Sequence, residues 1–439
     1  MKLLIVVPRW PKNSFWDLFG FKFPLLSTTL LAALTPPEWE VTIIDESITP
    51  IDFDNIPDVV AITAMTPLAP RGYEIADEFR KRGSIVIMGG MHPSWMPGET
   101  LSHADAVVIG EADYIWPSIL KDVKNKRLKR VYKQDEFTNL IHIPIPKREL
   151  LPKKGYFFEN TIQTTRGCPY NCEFCSVTAI YGGKYRTRPL TDIEKEISSL
   201  RRATRFIFFV DDNIVANLKY AKSLFEMLCN YKLRWVSQGP ITIAKDLKLL
   251  DLMAKSGCHG MFIGFETLSE ENLKLMGKRF NRIPEYVEGI KRFHDHGIGV
   301  HGSFVLGYDY DDESIFEKIL EFANRTKLDG AHLPVLTPFP GTRIRKRLLK
   351  EKRIITNDWS KYDMATVVYK PKRLSVEALQ EGFWWLNQKF YSPYSIFKRM
   401  FTPSAIRRSL IIFGPMNLGH IRTVKKAKRY FYKRYDHFN

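Results

Sequence analysis

Cysteine is scarce in this chain: five in 439 residues, none of them before position 168. So few thiols cannot staple a fold of this length, which excludes a disulfide framework and fits a reducing compartment. Long apolar runs are missing as well, since none reaches the roughly 18 residues of a membrane span. The opening MKLLIVVPRWPKNSFWD holds an apolar run of about five residues, short of the roughly 7–15 of a signal-peptide core. It reads as a first buried strand, and the protein as cytoplasmic. Acids are in deficit, 48 against 66 Lys and Arg, for a net charge of +18. Such a surplus suits an acidic partner (nucleic acid, anionic lipid head groups, a phosphorylated substrate) or simply a soluble basic surface. Internal repeats and low-complexity stretches are absent.

What is present is a globular composition, 44% hydrophobic and 26% charged, on a chain long enough for two or three domains. Over the first 115 residues short β-branched runs (2–8, 40–45, 59–63, 85–88, 106–109) alternate with helical patterns at 25–34 and 71–82. That alternation predicts an α/β unit, a doubly wound parallel sheet whose ligands gather at the carboxyl ends of the strands. From 114 to 158 the periodicity fades into Lys- and Pro-containing linker. A second series follows, with strands expected at 161–165, 206–210, 235–238, 260–265, 299–306 and 330–336. Helices are expected between them, for example over 192–201, 216–229 and 247–255. Six such units make a partial (β/α)6 barrel. The expected domains are therefore 1–135, a linker at 136–159, a barrel at 160–345 and a basic helical region at 346–439.

Three of the five cysteines, Cys168, Cys172 and Cys175, stand in TTRGCPYNCEFCSV directly after the first strand of the second series. Three thiolates on one loop can hold three irons of a cubane cluster and leave the fourth iron open to a small molecule. A zinc site or a set of structural thiols are the other readings. Structural zinc wants four closed ligands, and the nearest candidate outside the loop is His142. Cys229 and Cys258 are expected to be buried packing thiols.

The spacing C-x3-C-x2-C, with Phe174 before the last cysteine, resembles the signature of the radical S-adenosylmethionine (SAM) enzymes. The resemblance implies a [4Fe–4S] cluster whose open iron chelates SAM, reductive cleavage to a 5′-deoxyadenosyl radical, and an external donor of flavodoxin or ferredoxin type. Phe174 is similar to the residue whose backbone meets the adenine. Further fragments match in order: RTRPLTDIEKEI at 186–197, FIFFVDDN ending in Asp211 and Asp212, Gln238 closing a strand, and GFETLSEENLKLMGK with Glu266 and Lys278. VLGYDYDDES and LTPFPGT follow; the acids of DYDDE could otherwise pass for a poor calcium loop. Asp211, Gln238 and Glu266 are the residues the resemblance implies for SAM.

The N-terminal fragments Asp45–Glu46, GGMHPSW and GEAD together resemble the cobalamin-binding domain that precedes the barrel in one radical SAM subfamily. There glycine turns approach the cofactor closely, which implies roles for Gly89, Gly90, Gly110 and Glu111. The D-x-H-x-x-G motif of many other cobalamin proteins is missing, and VVPRWPKN stands in its place. His92 reads as a turn or phosphate contact rather than a cobalt ligand. Methylthiotransferases bind a second cluster through N-terminal cysteines, which this chain lacks.

From position 391 onward eleven Lys and Arg (Lys398, Arg399, Arg407, Arg408, Arg422, Lys425, Lys426, Lys428, Arg429, Lys433, Arg434) face Asp436 alone. This region is expected to cap the barrel, to lie on the inner face of an anionic membrane as a peripheral contact, or, less favoured, to grip nucleic acid. It resembles the C-terminal extension of hopanoid- and lipid-modifying radical SAM–cobalamin proteins, which implies a lipid or terpenoid substrate. The activity implied is cobalamin-dependent methylation of an unactivated carbon. Cyclisation, rearrangement or carbon–carbon coupling is the enzymatic alternative, and a basic nucleic-acid-binding protein with a structural metal is the alternative of another class.

Overall fold

In the computed structural model, residues 1–20, 22–157, 159–200, 206–401 and 412–434 are described, apart from the Arg434 side chain. Arg407, Arg408, Asp436 and that side chain lie outside the described residues, as do Phe158 and Arg201 at the ends of an expected linker and helix.

The first apolar runs become strands β1 (Lys2–Val7), β2 (Glu40–Asp45), β3 (Val59–Thr63), β4 (Ile85–Gly89), β5 (Ala106–Ile109) and β6 (Val131–Lys133). They form one parallel sheet in the order β2-β1-β3-β4-β5-β6. Helices Leu26–Leu34 and Trp116–Lys124 contribute to the core on one face and Ala69–Lys81 to that on the other. Cover on both faces is why β1 and β3 read as unbroken apolar runs. The order reverses between β1 and β3, so the crevice for a ligand opens at their carboxyl ends. Helix Trp116–Lys124 and strand β6 lie inside the stretch expected to be irregular. The helix buries Trp116, Ile119, Leu120 and Val123 on one face, a period masked in the sequence by Pro117 and four nearby lysines.

The second series gives β7 (Asn160–Ile162), β8 (Thr165–Arg166), β9 (Arg186–Thr187), β10 (Phe206–Phe209), β11 (Arg234–Gly239), β12 (Cys258–Glu266), β13 (Gly299–Phe304) and β14 (Gly330–His332). Six of them form an open parallel sheet ordered β14-β13-β12-β11-β10-β7, while β8 and β9 pair as a separate antiparallel ribbon. The single strand expected at 161–165 is thus divided. Asp211 accepts the backbone N–H groups of Thr164 and Thr165 and takes that stretch out of the sheet.

Among the described residues, the region after 345 shares its buried clusters with earlier parts of the chain. Helix Val376–Phe390 packs on helix Ser314–Thr326, and Phe383, Trp384, Phe390, Val424 and Phe431 belong to the same buried cluster as the barrel. Phe413, at the start of the helix Phe413–Arg434, is seated against Gly260 and Gly299. A Cβ on either glycine would meet its ring at 2.6 or 2.4 Å. The barrel's concave face is therefore filled at one end by the C-terminus. Arg399, grouped above with the surface cations, is fully buried. Its guanidinium donates to the carbonyls of Leu328 and Phe390 and to Asn417, and lies 3.8 Å from the Phe390 ring centroid.

Candidate active site

The three cysteines sit on the loop between ribbon strand β8 and the helix Ser176–Tyr181. Gly167, just before Cys168, has φ +89°, and a side chain there would strike the Lys184 carbonyl. Its N–H donates to Asp212 Oδ2 at 2.8 Å. Behind the loop, Glu173 accepts from Arg347 Nε at 2.8 Å and from the Tyr308 hydroxyl at 2.7 Å. Arg347 bridges on to Asp309, which Arg353 also holds.

The thiols of Cys168, Cys172 and Cys175 are free, and each of the first two feels the charge of the other cysteines on the loop. Among the described residues no three His, Cys, Asp or Glu side chains form a group that could hold a metal ion. Burial pushes the Cys172 thiol up to about 12, opposed by the neighbouring Lys278 ammonium. Thiolates in such a pocket require a compensating cation, and the charge of a metal centre is of the right sign to supply it. The donor set (three unpaired thiols on one loop, with no carboxylate among them) is soft and suits iron and sulfide.

The other residues that sequence linked to SAM fall on or near the same rim, with different degrees of freedom. Phe174 is half-buried against the barrel core. Gln238 is half-exposed at the end of β11. Glu266 closes β12 at a bulge, with φ +70°, a backbone region that non-glycine residues occupy only under local constraint. Its carboxylate pairs with Lys278 Nζ at 2.5 Å, and a Cβ on Gly264 would collide with both groups. Asp211 is fully buried: one oxygen takes both N–H and both hydroxyl donors of Thr164 and Thr165, and the other has no partner. Burial pushes it up to about 6, against those hydrogen bonds. Asp211 thus shapes the strand end through one oxygen and leaves the other without a partner.

On the first sheet, the turns after β4 and β5 carry the glycines. Gly90 has φ +99° and lies so close to Thr63 and Ala64 that a Cβ would meet Thr63 Oγ1 at 2.8 Å. Gly110 has φ +75° with nothing within 4 Å of its would-be Cβ, so the space beside it is open. Gly89 makes only ordinary contacts. Both oxygens of the Glu111 carboxylate are taken, by Arg166, Arg186 and the Thr138 N–H. His92 is a core residue: its ring is buried, Nε2 meets the Tyr73 hydroxyl at 3.1 Å, and Trp359 packs on it edge-on.

One further expectation changes, and two segments find their partners. Cys229 is exposed, because it stands in the surface turn that ends helix Leu218–Leu228, while Cys258 is buried in β12. In DYDDE, Asp311 accepts from the N–H groups of Gly307 and Tyr308 and from Asn272, and Asp309 is held by arginines, so these acids tie the turn together. The loop after β1 crosses to the barrel. Trp16 donates to the Asp363 carbonyl at 2.7 Å and stands edge-on to His332, and Phe23 meets Phe208 on the concave face. Sequence gave no partner for these aromatics, nor for Asp113, Arg166 and Arg186; the complementary charges of GEAD and the two arginines were the available signal.

A family model described as the radical SAM superfamily matches residues 162–323, and one described as the B12 binding domain matches residues 20–120. Bacteriochlorophyllide d C-12(1)-methyltransferase of Chlorobaculum tepidum is 31% identical over 91% of this chain and 89% of its own length. Hopanoid C-2 methylase of Rhodopseudomonas palustris is 26% identical over 81% of this chain and 72% of its own. Among solved structures, the radical SAM methyltransferase TsrM of Kitasatospora setae, with cobalamin and a [4Fe-4S] cluster bound, superposes with a TM-score of 0.69. The match covers 98% of this chain and 99% of that one at 16% identity.

Proposed function

The chain belongs to the B12-binding radical SAM enzymes, and from that premise we propose that it methylates an unactivated carbon of a large, mainly apolar ring system. Its cofactors are a [4Fe–4S] cluster, SAM and cobalamin. When bound, the cluster with SAM supplies a hydrogen-abstracting radical and the cobalamin a transferable methyl group.

The chain's own residues then have separable tasks. Cys168, Cys172 and Cys175 would hold the cluster. Lys278 places a cation beside Cys172, and the Glu266–Lys278 pair and Gln238 line the rim where SAM would lie. Gly90 and Gly110 would admit the cobalamin. The single observation that carries the reading is the placement of a free three-cysteine loop at the carboxyl end of β7, facing the glycine turns of the first sheet across a shared interface.

The substrate class rests on the concave face of the barrel. Phe208, Phe262 and His332 are mostly buried there, and Phe23 and Trp16 close over them. Burial pushes His332 down to about 4, so it presents a neutral imidazole. Aromatic walls with few charges exclude water from radical chemistry and favour a ring system over a polar metabolite. Relatives named for bacteriochlorophyllide d and for hopanoids act on substrates of that kind. Anaerobically reconstituted protein given methyl-labelled SAM, cobalamin, a reductant and such substrates should yield 5′-deoxyadenosine, S-adenosylhomocysteine and a product bearing one labelled methyl group. 5′-Deoxyadenosine with an unlabelled, ring-closed product would favour cyclisation instead, the reaction for which a 24% identical relative is named. Formation of neither nucleoside would sink the proposal.

A radical SAM enzyme needs an external electron donor, here of flavodoxin or ferredoxin type. No helix of the described residues is long and apolar enough to cross a membrane. Peripheral contact with an anionic membrane is supported by Tyr394, Phe397, Phe401 and Leu418, which are 74, 60, 61 and 63% exposed. Exposed Lys398 lies on helix Pro393–Met400 with Tyr394 and Phe397, and exposed Arg422, Lys425, Lys426 and Arg429 lie on helix Phe413–Arg434 with Leu418. Aromatic residues beside lysines suit an interfacial site that could receive an apolar substrate. Cosedimentation with phosphatidylglycerol vesicles should be lost in F397D/F401D; equal sedimentation of that variant, or preference for nucleic acid, would refute it.

A further inference from the structure

Ribbon strands β8 and β9 set Arg166 directly opposite Arg186. Two like charges facing each other on a two-stranded ribbon repel, and nothing within the ribbon relieves them. Relief comes from the other domain. Glu111, at the turn after β5, accepts Arg166 Nη1 on one oxygen at 2.7 Å and Arg186 Nη1 on the other at 2.8 Å. Asp113 adds a two-pronged contact to Arg166, with Nη1 at 2.9 Å and Nη2 at 3.2 Å. The side chains of Arg166, Glu111 and Asp113 are 7, 5 and 11% exposed. Forked arginine–carboxylate pairs in such surroundings fix orientation as well as distance.

This ion cluster joins two short rigid paths. On one side Arg166 precedes Gly167, whose positive φ and bond to Asp212 set the start of the cysteine loop. On the other, Glu111 follows Gly110, whose N–H donates to Ser94 Oγ at 2.9 Å, and that hydroxyl donates to the Gly90 carbonyl at 2.7 Å. An unbroken chain of bonds thus runs from the Gly90 turn to Cys168. Packed and hydrogen-bonded elements of this kind can carry coupling between sites if both sites bias the same element.

We propose that Glu111, Asp113, Arg166 and Arg186 form an ionic latch that couples the cobalamin turns to the cysteine loop, so that filling the cobalamin site alters SAM binding at the cluster. The four are positioning residues, and the inference rests on the functional reading above. Loading cobalamin orders the turns at Gly90 and Gly110; Glu111 and Asp113 pass that order to Arg166 and hence to the loop.

The test uses full-length, cluster-reconstituted protein and reads SAM affinity from the SAM-induced change in the EPR spectrum of the reduced cluster, with and without hydroxocobalamin. Coupling of this type shifts affinity by at least about fivefold in the unaltered protein, and the shift should fall below about twofold in E111Q/D113N. Iron content and the SAM-free EPR spectrum should stay unchanged. If that variant does not fold, Arg166→Lys, which keeps the charge and loses the fork, should weaken the coupling in the same direction. An unaltered protein whose SAM affinity ignores cobalamin, or a variant in which the shift persists, would overturn the latch. Failure of the unaltered protein to take up iron or to bind SAM would instead overturn the functional reading.

Discussion

At Gly167 a side chain would meet the carbonyl oxygen of Lys184 at 1.9 Å, on a backbone already at φ +89°. A non-glycine residue in that region costs roughly 1–3 kcal/mol before any clash, so Gly167→Ala must shift the loop that carries Cys168. We expect iron uptake and SAM cleavage to fall by about tenfold or more, each factor of ten being about 1.4 kcal/mol, with the melting temperature little changed. Iron analysis and 5′-deoxyadenosine assays check both. The cysteines divide the same way. Cys172→Ala should bring SAM cleavage to background, whereas Cys258→Ala, in buried β12, should leave the chemistry intact and lower stability by about 1–2 kcal/mol in urea. The motif and its spacing were legible because three residues of one type fell within eight positions. The partners of Asp211 were not, because a buried aspartate and a ligand-facing one look alike in sequence.

Among the elements, the helix Phe413–Arg434 is the one for which sequence left most open. Its basic composition allowed a cap on the barrel, a membrane-facing segment or a nucleic-acid grip, and Phe413, Val424, Ala427 and Phe431 are buried against the barrel. Phe413→Ala should destabilise by about 3–5 kcal/mol, as removal of a buried ring does, and equilibrium denaturation would measure it. His420, on the same helix, stacks on Tyr391 at 4.1 Å, and burial pushes it down to about 4. Above pH 6.5 it is neutral in both folded and unfolded chains. As pH falls below that value the unfolded chain takes up the proton first, so stability declines until about pH 4. The loss has an upper bound of about 3 kcal/mol. Urea curves near pH 7.5 and near pH 5 should show it, and His420→Gln should reduce the difference without abolishing it, because buried His332 is pushed down in the same way; an unchanged difference would remove His420 from the account. Such burial escapes sequence reading because the glycines that admit Phe413, at 260 and 299, lie more than a hundred residues away.

For the molecule as a whole, the N-terminal domain is joined to the barrel by more than the covalent linker. The loop after β1 lies across both: Trp16 reaches the Asp363 carbonyl, and the Leu18 carbonyl accepts from Thr423 at 3.1 Å. Trp16→Ala should therefore loosen the contact that ties this loop to His332 and Asp363. Hydrogen exchange should rise across residues 10–20 and in the helix Phe413–Arg434 together, with little change in the first sheet. A rise confined to the loop would show that the two regions are not tied through it.

The succession of strands and helices, the cysteine loop and the glycine turns follow from short-range information, namely periodicity, β-branched runs and residues a few positions apart, which physical rules convert directly into structure. The linker's early helix, the buried Arg399 and the exposed Cys229 do not, since each depends on which surface another segment covers. Most of all, Glu111 and Arg166 are 55 positions apart. Their charges were visible in the sequence, but only the packing of one sheet against the other brings them within hydrogen-bond distance and out of water, where an ion pair fixes geometry.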